Sequence, residues 1–292
     1  MKALHPKWIY LFILSVIWGS SFILIKKGLE GLTPMQLGAV RIIFTGIFLF
    51  IIGFKKVHDI AVRDWKWMIL TGLLGTFFPA FLFAFAETEI DSAIASILNS
   101  LVPLNTIVLG FFVFKINSTK RQVLGVFIGL AGTIMLIMNG ASLNPNQNYL
   151  YAALVIIATF MYAASINILK QHLQHVNALT IAIGNFVVII IPAVVILICT
   201  GFFKEEVLTN EHLKPALLYM VLLALFGTAI AKVLFNKLVQ VSTPVFASSV
   251  AYLMPIVAVF WGVLDGEQFG FLQAIAAIMI LIGVYLAHKK RT

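Results

Sequence analysis

Charge is scarce in this sequence. Only 11% of its 292 residues are Asp, Glu, Lys or Arg, while 61% are hydrophobic. An ordinary soluble domain is excluded, because its interior grows too slowly with chain length to hide that much apolar surface. Cysteine is nearly missing: Cys199 stands alone, which rules out a disulfide framework and a thiolate metal site. His172 and His175 have no third ligand beside them, so they read as a solvated loop rather than a metal site. No ATP-binding motif is present, so any work the chain does draws on a gradient or on its substrate. No cofactor is expected.

What the sequence has in abundance is apolar runs. Ten can be drawn, at 8–25, 34–53, 67–86, 92–114, 122–138, 149–169, 178–200, 215–236, 244–264 and 269–287. Most approach the roughly 20 residues that a helix needs to cross a hydrocarbon core. The first run follows Lys2 and Lys7 like a signal peptide, but it lacks an A-x-A cleavage site and reads as a retained helix. An all-α membrane protein with ten transmembrane helices follows. Trp8, Trp65, Trp67 and Trp261 fall near the ends of runs, as anchors at the lipid interface do.

The net charge of +9 is concentrated on one side. With a cytoplasmic N-terminus, fourteen basic residues fall inside, among them Lys55, Lys56, Arg63, Lys66, Lys115, Lys120 and Arg121. Four fall outside: Lys26, Lys27, Lys204 and Lys214. This split predicts that both termini and residues 115–121 are cytoplasmic, in a cell inner membrane. The basic blocks are too short and dispersed to grip nucleic acid. Asn117-Ser118-Thr119 then has no use as a glycosylation sequon.

The chain also resembles itself. Shifted by 152, "ASILNSLVPLNTIVLG" (95–110) meets "ASSVAYLMPIVAVFWG" (247–262), matching Pro103 to Pro255 and Gly110 to Gly262, and Gly75-Thr76 meets Gly227-Thr228. A shift of 144 matches Lys26 to Lys170 and sets Trp18 against Tyr162. Residues 1–144 and 145–292 therefore read as two repeats. Each has five helices, an odd number, so the copies enter the membrane from opposite sides. This is the inverted-repeat plan of secondary transporters, with a substrate site near the midplane.

"WGSSFILIKKG" (18–28), Arg41 following Pro34, "ASILNSLVPL" (95–104) and "GVLDGEQFGFLQAIAAIMILIGVYL" (262–286) together resemble the EamA-type family of the drug/metabolite transporter superfamily. The resemblance spans nearly the whole chain. It implies two inverted five-helix repeats, a central cavity, and export or exchange of small metabolites. It also implies a glutamate after the fourth and ninth helices. Glu267 fits the second position, whereas Lys115 departs at the first.

Candidate site residues follow from polarity inside the runs. Ser92, Ser96, Asn99, Pro103, Thr106 and Gly110 share one helical face. The equivalent face of the ninth run carries Pro244, Ser248, Ala251, Pro255, Ala258 and Gly262, with Tyr252 beside it. Such faces line a cavity or form tight packing through small residues. The prolines could equally be packing kinks. Arg41 lies about 10 Å inside its helix and needs a partner. Its role is either substrate contact and gating or an ion pair with Glu87. Lys232, near the inner end of the eighth run, is a gating or coupling candidate or simply snorkels to the interface, and Lys26 is similar. Glu87 is the one acid at the edge of a run where a proton could couple. Trp18 and Tyr162 are candidate cavity walls. Gly125-x-x-x-Gly129 reads as helix packing within a monomer, or in a weak homodimer.

The function expected from these residues is a secondary transporter of small polar metabolites, amino acids or related carboxylates, working by alternating access and partnered only by substrate and lipid. A lipid-modifying membrane enzyme is the alternative, but no cluster of carboxylates or histidines lies within the runs. A passive channel is another, and no ring of like charges marks a pore.

Overall fold

The structure, a computed structural model, describes residues 6–114, 120–143 and 146–288, and among these it contains helices and no strand. Lys115, the sequon at 117–119 and both chain ends lie outside the described residues. Among the described residues, eight helical units are long and apolar enough to cross a membrane. They are α1 (Pro6–Leu29), α2 (Pro34–Gly53), α3 (Val62–Ala86), α4 (Ser92–Val113), α6 (Ala152–His172), α7 (Ala178–Cys199), α8 (Leu213–Val241) and α9 (Pro244–Leu264). Two further apolar helices are α5 (Lys120–Leu143) and α10 (Phe271–His288). In lipid only a helix satisfies its own backbone, so long apolar runs with short polar links leave little other choice. The links are sharply punctuated. Thr33 and Gln36 form a reciprocal capping box at the start of α2, with Pro34 at its first position. Asn177 and Thr243 cap α7 and α9.

Four units are interrupted, in matched pairs. A π-helical turn occupies Leu73–Phe77 in α3 and Leu223–Ile230 in α8. These turns contain Gly75-Thr76 and Gly227-Thr228, the pairs matched by the shift of 152. Ser100 and Leu101 break α4, and Ser249 breaks α9. Both serine hydroxyls donate to the carbonyl three residues back, Ile97 and Phe246.

The packing is crosswise. α1 lies on α9 and α8, while α6 lies on α4 and α3; α2 packs on α8 and α7 on α3. α2 meets α7, α4 meets α9, and α5 meets α10. Exchanging each helix for the one five places on maps each of these pairs onto another of them, or onto itself. At the α5–α10 seam, a Cβ on Gly283 would stand 2.6 Å from the carbonyl oxygen of Gly125 and closer still to the Gly129 nitrogen. The Gly125-x-x-x-Gly129 motif is thus used inside the chain. Large apolar side chains such as Phe12, Ile51, Phe112, Ile191, Ile256 and Phe271 face outward, a surface suited to lipid and a liability in water.

Candidate functional site

A cavity of about 120 Å³ lies among α1, α2, α3, α4, α6, α8 and α9, room for a small ligand. Trp18, Arg41, Asn99, Tyr162, Lys232 and Ser248 all line it, as do Gly75, Thr76, Gly227 and Thr228 from the two π turns. A π turn shifts the backbone register and frees carbonyl groups, and both turns are used in that way. Trp18 Nε1 donates to the Gly227 carbonyl at 2.8 Å, and Lys232 Nζ donates to the Gly75 carbonyl at 2.9 Å. Each bond joins one half of the chain to the other. Aromatic rings build much of the remaining wall: Trp18 meets Phe235 at 5.0 Å, and Phe83 stands between Phe22 and Tyr162.

Arg41 does not pair with Glu87. Its Nε donates to Thr228 Oγ1 at 3.0 Å, and that hydroxyl lies within reach of the Leu223 carbonyl at 3.2 Å. Glu87 is buried off the cavity, where Ser92 Oγ donates to it at 2.8 Å. Of the two roles the sequence left open for Arg41, the ion pair with Glu87 is not formed; the guanidinium is bonded to a hydroxyl of the opposite half instead. Lys232 does not snorkel either. It is only 9% exposed, because α8 continues to Val241 and leaves the lysine more than two turns from the helix end.

Lys26 is also no snorkel. It bonds Asp265 at 3.0 Å and Glu267 at 2.9 Å, while Lys27 holds Asp265 at 2.7 Å and Glu30 at 2.9 Å. The Glu267 carboxylate also accepts the backbone N–H groups of Ser92 and Ala93, both at 3.1 Å. A carboxylate is well placed at the first turn of a helix, where N–H groups lack partners and the dipole is positive. Glu267 therefore ties α1, the start of α4 and the α9–α10 link into one closure. Burial pushes the Asp265 carboxyl upward, but hydrogen bonds from Lys27 and Lys26 outweigh it and hold the group below its ordinary value. At the other end of the molecule, Lys170, the counterpart of Lys26, donates to the carbonyls of Val239, Gln240 and Ser242.

The other predicted residues fall elsewhere. Ser96, Pro103 and Pro255 are buried but off the cavity lining, and the half-buried Tyr252 is off it too. His172 stacks on Trp67 at 3.6 Å and His175 reaches Asp64 at 2.9 Å, so neither is merely solvated. No group of three metal-binding side chains occurs among the described residues. Sequence reasoning passed over Thr76, Phe22, Phe83, Phe235 and the use of Glu267 as a tie. The Gly-Thr pair recurring at a shift of 152 was the signal for the π turns.

The model of the EamA-like transporter family matches residues 6–138 and again 150–288. The chain belongs to the EamA-like transporter family. It is thus a multi-pass membrane protein of a transporter family, which accounts for a cavity enclosed by helices of both halves. Its relatives within this family include an E. coli K12 protein described as the uncharacterized inner membrane transporter YedA, 30% identical over 99% of this chain and 95% of that one. A Salmonella typhimurium protein described as a probable amino-acid metabolite efflux pump is 24% identical over 93% of this chain and 91% of its own. A crystal structure shares this fold at TM-score 0.67 and 17% identity, covering 96% of this chain and 95% of that one.

Proposed function

We propose that the chain is a secondary transporter of the inner membrane that exports or exchanges small carboxylate-bearing metabolites, amino acids or related organic acids, by alternating access. The observation that carries this reading is Arg41. Among the described residues its guanidinium makes one hydrogen bond, through Nε, leaving both terminal nitrogens of a rigid donor fork at a cavity wall. That fork matches the two oxygens of a carboxylate. The relative described as an amino-acid metabolite efflux pump supports the same class.

In this reading residues 1–144 and 145–292 are inverted repeats of five transmembrane helices each, which the crosswise packing and the paired π turns support. Both termini are cytoplasmic, on the strength of the basic split. Trp18, Arg41, Asn99, Tyr162 and Ser248 contact substrate. Ser96, Pro103, Tyr252 and Pro255 support the broken helices around it, and Lys232 and Glu87 serve gating or coupling. Reconstitution in proteoliposomes tests the reading. Saturable uptake with counterflow is the expected result. Flux without saturation indicates a channel, and no flux at all an enzyme or another role. Arg41→Lys, which keeps the charge and loses the fork, lowers carboxylate transport by about tenfold or more while the protein stays monodisperse.

A further inference from the structure

We infer that the cavity takes a small organic dianion, a dicarboxylate or a phosphate monoester, held between Arg41 and Lys232, and that it discriminates against zwitterions. The inference rests on the transporter reading above and narrows its substrate class.

Two cations line one cavity, and among the described residues no acidic side chain lines it. Arg41 is fixed to Thr228, and Lys232 stands four residues farther along the same helix, roughly 6 Å along its axis. Among the described residues the hydrogen bonds of both cations go only to neutral oxygens: the Thr228 hydroxyl for Arg41 and the Gly75 carbonyl for Lys232. Two like charges facing a water-poor space repel each other. An occupant with two negative charges relieves that repulsion, and one turn of helix suits two anionic groups on a short chain or one phosphate between them. The acids nearby in the fold lie off the lining: one Glu87 oxygen accepts from Ser92 while its Oε1 is buried without a hydrogen-bond partner, and Asp265 and Glu267 are tied to Lys26 and Lys27. An ammonium group entering the cavity would therefore meet two cations and no carboxylate.

Two orphaned polar atoms complete the site. Thr76 Oγ1 and Asn99 Oδ1 are buried in the lining, at 7% and 5% residue exposure, without a hydrogen-bond partner. Buried polar groups normally find partners. The threonine hydroxyl can donate to a ligand oxygen, and the amide oxygen can accept from a ligand hydroxyl. The rings of Trp18, Phe22 and Phe235 then face the ligand's carbon skeleton.

Thermal melting and proteoliposome exchange with four probes test this: succinate, glycerol 3-phosphate, lactate and alanine. Succinate or glycerol 3-phosphate is expected to raise the melting temperature and exchange saturably, and which of them does so distinguishes the dicarboxylate from the phosphate source. Alanine at equal concentration is expected to do neither. Lys232→Gln weakens the preferred dianion by about tenfold or more, and Lys232→Arg restores it. Alanine binding more tightly than both dianions overturns the inference but keeps the transporter. Stabilisation by a dianion without flux of any probe keeps the site and overturns the transporter. A failure of both dianions to stabilise the wild-type protein overturns the inference even if the variants do not fold.

Discussion

Trp18 shows how a single side chain can be tied to the opposite half of the chain. Its indole N–H donates to the Gly227 carbonyl within the π turn of α8. Trp18→Phe keeps the ring surface and removes the donor, and with it this bond between the two halves. The cost is about 1–3 kcal/mol, which in a chain of this size lowers the melting temperature by roughly 2–8 °C; scanning calorimetry in detergent reads it directly. Arg41, Asn99, Trp18 and Tyr162 could all be picked out in the sequence, because polar or amphipathic residues inside apolar runs are conspicuous. Their partners could not. The partner of Arg41 was sought among acids, yet it is a threonine 187 positions away. Lys232 was misplaced for a different reason: reading α8 as ending near 236 instead of Val241 put the lysine within reach of the interface.

At the scale of helices, the runs and their ends were largely readable, because lipid permits no alternative and the caps are ordinary Thr, Asn and Pro signals. The broken helices were not. Pro103 suggested a kink at itself, but the break lies before it, at Ser100 and Leu101, and Pro103 is the second residue of the new helix, where proline costs little. A face counted at 3.6 residues per turn does not persist across such a break. That is why Pro103, beyond the break, does not follow Asn99 to the cavity. The closure through Asp265 and Glu267 joins three elements and yields a pH prediction. Asp265 is held below its ordinary value of 3.8, so its ion pairs stabilise the fold above that value and are lost as pH falls through the lowered one. Asp265→Asn should therefore lower the melting temperature by roughly 1–3 °C at pH 7. The difference from wild type should vanish in strong acid, and a difference that grows toward acid would refute the assignment.

Over the whole molecule, the repeat was the most informative feature of the sequence. A shift of 152 predicted which segments correspond, and the π turns fall on the matched Gly-Thr pairs. How the halves interlock, with α1 on α9 and α6 on α4, was beyond a single sequence, since only covarying positions or a structure report contact across such distances. Orientation in the membrane is tested by labelling. Cys199 is first replaced. A cysteine at Lys56, in the basic link after α2, should resist a membrane-impermeant thiol reagent in intact cells, and one at Glu206, in the link before α8, should react. The reverse pattern would invert the topology.

Lys26 and Lys170 occupy corresponding places in the two halves but are fastened by different means. One is held by two carboxylates and the other by backbone carbonyls. Dissolved ions weaken attraction between opposite charges at a surface and leave a bond to a neutral carbonyl far less affected. The two ends of the molecule are therefore fastened unequally: raising ionic strength loosens the carboxylate-held end and leaves the carbonyl-held end nearly unchanged.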